Sequence, residues 1–259
     1  MSEWWDKQIG RADQLAAQSS GSKELLTFYA QLLRAQKVTY EFLRSRKPSG
    51  DLERDLPVIR DAWPALLKTV AACGPEILAA EAHDLLTWSD EGVNEMLINH
   101  WLNPSDIQFF AKAFLQPYGR WLADGGSVVN RREFAGSERR CPFCGGNPQV
   151  SFLQSKESNA ESGNRDLICA TCLSTWEFRR VVCANCGEER PAKLGYFHSP
   201  EFDHVRIEAC DTCKQYIKGV DLTRLGFAVP LVDEVAAAPL DIWAREHGYT
   251  KIEINLVGL

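Results

Sequence analysis

Four Cys-x-x-Cys pairs carry most of the chemistry open to this chain: Cys141/Cys144, Cys169/Cys172, Cys183/Cys186 and Cys210/Cys213. They use every cysteine except Cys73. Two thiolates three positions apart on a tight turn can face one ion, and two such knuckles complete the tetrahedron that zinc or iron accepts. The intervening loops match in length. There are 24 residues between Cys144 and Cys169 and 23 between Cys186 and Cys210, and the two units start 42 positions apart. A fixed period of this kind marks a duplicated structural unit. Pairing within each repeat is the expectation. The 10 residues between Cys172 and Cys183 would also allow a site built from the two middle knuckles.

The knuckle residues add detail. Pro142 fixes the first turn, and Gly145 and Gly187, which follow the second cysteine of their pairs, permit a positive φ. Leu173 and Lys214 hold the equivalent places in the other two knuckles, so those turns are expected to be less regular. Zinc in such sites is structural, whereas a single iron gives a rubredoxin-like centre with redox chemistry; the ligand set is the same. Redox dithiols are the competing chemistry, but a thioredoxin-like pair sits at a strand-to-helix junction in an α/β fold, and no such pattern surrounds these cysteines. The region has few apolar residues, so metal binding and folding should be one event.

Other reactive residues read as structural. Cys73, between Ala72 and Gly74, is expected to be a buried small hydrophobe. His198 and His204 lie in the second long loop, but four thiolates already fill a tetrahedron. His83 and His100 are expected to be capped or surface histidines. The pair Asp233-Glu234 is expected to be solvated or to meet a partner, since adjacent side chains face apart. No Gly-rich phosphate loop, Ser-His-Asp set or HExxH helix is present, so no catalytic residues and no enzyme are expected. The eight tryptophans should be mostly core, with some anchoring a protein interface. A homo-oligomer is compatible with that reading.

The elements that must position the cysteines divide near residue 126. Before it the pattern is helical. Leu25, Phe28, Tyr29, Leu32, Leu33, Tyr40 and Leu43 recur in steps of three and four on one helix face. A second helix is predicted to open at Asn103-Pro104, with Ile107, Phe110, Ala111, Phe114, Tyr118, Trp121 and Leu122 on its face and a kink at Pro117. Weaker helices fall near 51–72, 76–88 and 91–102, making five or six in all. After Asp124-Gly125-Gly126 the texture changes. Gln149–Leu153, Thr175–Phe178 and His204–Glu208 alternate at period two, as strands do, and Pro239–His247 reads as a helix ended by Gly248. The expected class is α+β multidomain: a helical domain (1–126), a linker (127–140), a first metal ribbon (141–182), a second (183–225) and a short helical tail (226–259).

Bulk properties exclude several functions. The 259 residues carry 29 Lys and Arg against 35 Asp and Glu, a net charge of −6. Residues 137–259 hold 14 basic against 17 acidic side chains, and eight thiolates with two divalent ions add a formal −4. That field repels phosphate, which argues against a zinc-ribbon nucleic-acid binder. No apolar run is long enough to span a bilayer, and Met1–Lys7 has neither a Sec nor a twin-arginine pattern, so the expected place is the cytoplasm without stable membrane insertion.

Taken together, the motifs resemble a known family. Cys-Pro-Phe-Cys-Gly-Gly-Asn-Pro (141–148), Cys169-Ala-Thr-Cys172-Leu-Ser-Thr-Trp176, Cys183-Ala-Asn-Cys186-Gly, Cys210-Asp-Thr-Cys213-Lys-Gln-Tyr216 and the tail Leu240–Tyr249 are similar to the formate dehydrogenase accessory proteins of the FdhE type. The helical half is similar more loosely, at Leu25–Tyr29 and Leu32–Gln36, and the chain looks shorter at its N-terminus than the usual member. The resemblance implies two rubredoxin-like metal sites on the eight paired cysteines, with iron or zinc in each. It also implies a cytoplasmic maturation factor that binds the formate dehydrogenase catalytic subunit before export. A rubredoxin-like electron-transfer protein is the other reading the cysteines leave open.

Overall fold

The computed structural model describes residues 2–19, 21–47, 49–104, 108–126, 138–154 and 164–259. Most of the expected linker, 127–137, lies outside them, as does Ile107. The chain splits into two compact units, Met1–Val129 and Asn130–Leu259.

The described residues of the first unit form seven α-helices: α1 Ser2–Gln18, α2 Lys23–Arg46, α3 Leu52–Ile59, α4 Trp63–Cys73, α5 Glu76–Leu85, α6 Asp90–Leu102 and α7 Phe109–Asp124. This exceeds the five or six expected. One reason is that 51–72 is two helices joined by a 3₁₀ turn at Arg60–Ala62. Pro64 stands in the first turn of α4, where its missing N–H costs nothing. The helix expected to open at Asn103 starts at Phe109 instead. Asn103 closes α6, its N–H donating to the Asn99 carbonyl at 2.8 Å. Pro117 lies inside α7.

The bundle core is aromatic and partly polar. Trp63 meets Phe114 edge-on at 5.1 Å between centroids, and Trp5 packs on Tyr40 at 5.9 Å. Buried Gln36 donates to the Ala113 carbonyl (2.8 Å) and to Gln116 Oε1 (3.0 Å), tying α2 to α7. Asp55 is buried but saturated: it accepts from the Ser49 and Gly50 N–H groups, the Ser49 hydroxyl and the Tyr118 hydroxyl. Of the eight tryptophans only Trp5, Trp63 and Trp101 are buried, and Trp88 is 45% exposed, so fewer are core than expected. These contacts need no metal. Residues 1–126 expressed alone should therefore keep a helical circular dichroism spectrum with chelator present; a disordered spectrum would contradict that.

The second unit is built on one sheet. Its strands are β1 Pro148–Gln154, β2 Asn164–Cys169, β3 Thr175–Phe178, β4 Leu194–His198, β5 Val205–Cys210, β6 Gln215–Asp221 and β7 Thr250–Lys251. Their order is β3-β2-β1-β6-β5-β4, with β7 also on β6. Each cysteine repeat thus supplies three antiparallel strands. The repeats join where β1 runs parallel to β6, Val150 opposite Lys218 through Leu153 opposite Asp221. Helices α8 Pro230–Ala236 and α9 Ala238–Glu246 complete the unit. The tail is therefore part of the sheet domain's packing: Tyr216 and Lys218 of β6 are fully buried, and both bond Asp241 of α9.

The junction is cross-braced. Glu208 on β5 accepts from Arg165 on β2 (2.5 Å), from Ser151 on β1 (3.0 Å) and from Arg206 on its own strand (2.7 Å). Burial alone would raise the Glu208 carboxyl pKa, but Arg165 and Arg206 bring it below the ordinary value. Gly219 makes room for this, since a Cβ there would lie 2.5 Å from Glu208 Oε1. Gly219→Ala should accordingly destabilise the second unit by about 1–3 kcal/mol in urea titration, because the displaced carboxylate is buried between partners. An unchanged midpoint would contradict the brace.

Candidate metal centre

All four knuckles share one backbone geometry. In each, the residue after the second cysteine has a positive φ: 72° at Gly145, 57° at Leu173, 78° at Gly187 and 56° at Lys214. Its N–H donates to the carbonyl of the first cysteine, at 2.8 Å (Gly145), 3.1 Å (Leu173), 3.0 Å (Gly187) and 2.8 Å (Lys214). The expectation of irregular turns at Leu173 and Lys214 is thus corrected. These two residues take the left-handed conformation at a cost of about 1–2 kcal/mol each, borne because the knuckle requires it. The first cysteine also donates its N–H to the carbonyl five residues on, seen at Cys141 to Gly146 (3.0 Å), Cys169 to Ser174 (2.9 Å) and Cys183 to Glu188 (2.9 Å).

These turns gather the thiols in two clusters. Cys141, Cys144, Cys169 and Cys172 form one, and Cys183, Cys186, Cys210 and Cys213 the other; within each, all sulfurs lie within 4.8 Å of one another. The geometry follows pairing within each repeat and not the middle-knuckle alternative. Four of the edges are 3.5 Å (Cys141–Cys172), 3.4 Å (Cys144–Cys169) and 3.7 Å (both Cys183–Cys213 and Cys186–Cys210). A disulfide is far shorter, about 2.05 Å. A tetrahedron of thiolates about 2.3 Å from an ion has edges of about 3.8 Å. The clusters therefore fit a four-coordinate zinc or iron.

The electrostatics agree with that fit. Burial pushes the Cys169 thiol well above its usual pKa, while hydrogen bonds from Cys141 and its other neighbours pull Cys172 well below. Without a cation, then, the buried group cannot carry four thiolates together. Backbone donors reach sulfurs of both clusters, among them Thr171 N–H to Cys169 (3.3 Å) and Cys186 N–H to Cys183 (3.5 Å), with Glu188 bonding Cys186 and Gln215 bonding Cys213. The first cluster also depends on a residue that spacing did not flag. A Cβ on Gly146 would sit 2.7 Å from Thr171 Oγ1 and 2.9 Å from Cys169 Sγ. Gly146→Ala should lower metal retention at the first cluster alone, by about 1–3 kcal/mol of overpacking; elemental analysis after dialysis would show it, and full retention would contradict it.

The remaining candidates stand apart from the sulfurs. His204 Nε2 bonds Asp233 Oδ1 at 2.8 Å, and His198 and His83 are exposed. His100 is buried, with Nδ1 2.9 Å from Gln108 Oε1, which corrects the surface expectation. Cys73 is exposed, not buried, its Sγ 3.0 Å from the Thr69 carbonyl. The largest correction concerns Asp233-Glu234. Both are fully buried, because Asp233 accepts from the Val229 N–H (2.7 Å) and His204, and Glu234 is enclosed by Gln149 and Lys251.

Comparison with known proteins follows the same cysteines. Residues 140–180 match the FdhE central domain and residues 181–257 the FdhE C-terminal domain. Over residues 140–257 the chain is similar to the FdhE family. The boundary between the two domain matches falls between the two clusters, so each FdhE domain holds one. The chain is 39% identical to an FdhE homolog of Aquifex aeolicus over 152 residues, 59% of this chain and 52% of that protein. It is 29% identical to an FdhE homolog of Haemophilus influenzae over 169 residues, 64% of this chain and 54% of that one. The chain spans about half the length of the curated relatives it matches. The crystal structure of the FdhE protein from Pseudomonas aeruginosa shares the fold, with a TM-score of 0.69 at 24% identity over 99% of this chain and 96% of that one. The resemblance read from the knuckles and tail is borne out. No helix among the described residues is long and apolar enough to cross a membrane.

Proposed function

We propose that this chain is a formate dehydrogenase accessory factor. It binds the catalytic subunit in the cytoplasm before export and carries out no catalytic step itself. One observation carries the reading: the FdhE central and C-terminal domains coincide with the two four-cysteine clusters, one cluster to each. Cys141, Cys144, Cys169 and Cys172 would hold one iron or zinc ion, and Cys183, Cys186, Cys210 and Cys213 a second. A bound ion supplies a cross-link between the two knuckles of each repeat. The chain's own residues do the rest. The four left-handed turns aim the sulfurs, β1 and β6 join the repeats, and α8 and α9 pack on β6.

The client is tested by affinity capture of the tagged chain from a formate-respiring host, followed by mass spectrometry. Recovery of a formate dehydrogenase catalytic subunit is the expected result. Recovery of RNA without that subunit would overturn the proposal in favour of a nucleic-acid ribbon.

A further inference from the structure

The two clusters differ in how solvent reaches them. At the first, Cys141, Cys144, Cys169 and Cys172 are all buried, none more than 3% exposed. At the second, Cys183 and Cys210 are buried but Cys186 and Cys213 are only half-buried. The cause lies in the residues at matching positions of the two repeats. After its second cysteine the first repeat has Gly146, whose missing side chain lets Thr171 and Cys169 close in, while the second has Glu188 in that place. Buried Leu173 and Ser174 follow Cys172, whereas exposed Lys214 and half-buried Gln215 follow Cys213. Small or apolar residues lid the first cluster. Long polar side chains stand around the second instead: Glu188 bonds Arg190 and Thr212, and Lys214, itself exposed, bonds Asp211.

From this asymmetry we propose that the second centre exchanges its metal ion with solution while the first retains it. The inference rests on the metal reading of both clusters given above. Displacing an ion from a closed tetrahedron requires an incoming donor to reach the ion, or a proton or electrophile to reach a ligand sulfur. At the second centre Cys186 and Cys213 offer that approach in the folded state. At the first, the ribbon must open locally, and such openings are rare in a buried, hydrogen-bonded segment. The ligand class that would enter is a small thiol or a chelator that offers nitrogen donors.

The full chain is loaded with zinc, its content is measured, and release to pyridylazoresorcinol is followed with time. A parallel sample is pulsed with iodoacetamide in the presence of chelator and mapped by peptide mass spectrometry. Two ions should leave in two phases of equal amplitude, the first at least roughly tenfold faster because it needs no opening. Alkylation should appear on Cys186 and Cys213 together with exposed Cys73, and on Cys141, Cys144, Cys169 and Cys172 only in the slow phase. Glu188→Gly with Lys214→Leu, which gives the second repeat the residues of the first, should slow the fast phase. A single phase, early alkylation of the first cluster, or a fast phase unchanged in that variant would overturn the proposal. Fewer than two ions at the outset would overturn the metal reading itself, and the proposal with it.

Discussion

Lys218→Met should cost the carboxyl-terminal unit about 3–5 kcal/mol, because it leaves two buried carboxylates with a single counter-ion. Lys218, Glu234 and Asp241 are fully buried and Lys251 nearly so. Lys218 Nζ donates to Asp241 Oδ2 and to the Glu234 carbonyl, and Lys251 Nζ donates to Glu234 Oε2 at 2.7 Å. The remaining lone pairs are met by Tyr216 on Asp241 (2.8 Å) and by Gln149 (2.7 Å) and Asn255 (3.3 Å) on Glu234. Two cations and two carboxylates close a neutral set that fixes α8, α9 and β7 on the sheet. Such sets add little over a well-packed apolar core, but losing one member is severe. Lys218→Met combined with Asp241→Leu should therefore recover much of the loss. Urea titration of the two variants beside the unaltered chain tests this; equal losses in the single and double variants would contradict it. The set also has a pH signature. Burial acts to raise the Asp241 pKa, yet Lys218 and Lys251 hold it below its ordinary 3.8. Its contribution is present above pH 3.8 and is lost as pH falls through the lower folded value.

The second large effect is expected at a ligand. Cys141→Ala removes one of four thiolates from the first cluster. Structural zinc in small fingers is worth roughly 10–16 kcal/mol, so a three-sulfur site forfeits a large share of what holds its ribbon folded. The helical unit should survive, since its described core contacts involve no cysteine ligand. In cells lacking the native factor, Cys141→Ala should fail to restore respiratory formate oxidation, while Cys73→Ala should restore it. Both changes delete one thiol, but Cys73 is an exposed side chain whose loss should cost under about 0.5 kcal/mol. Protein abundance is measured alongside, because an opened ribbon invites proteolysis. Full rescue by Cys141→Ala at normal abundance would show that the first cluster is dispensable.

The cysteines were the legible part of the site, because ligand spacing is local: each knuckle lies within four residues, and the repeat shows itself by its period. The strands at Gln149, Thr175 and His204 were legible for the same reason, through alternation. What stayed hidden depended on distant partners. Asp233-Glu234 looks like a solvated pair until Lys251, 17 residues away, and His204, 29 away, enclose it. Strands β2 and β6 carry Arg165, Asp166 and Lys218, all buried, so their polar residues masked the pattern of a core strand. The left-handed turns at Leu173 and Lys214 ran against residue preference, which the knuckle overrides. No local signal announces the parallel β1–β6 junction, which joins segments more than 60 residues apart.

Two ions, one in each four-cysteine cluster, are expected to shape the carboxyl-terminal unit. Elemental analysis of the full chain after anaerobic purification tests this most directly. The expected ratio is two ions of iron or zinc per chain, falling to one in Cys141→Ala. A ratio of zero or one in the unaltered, folded chain would contradict it.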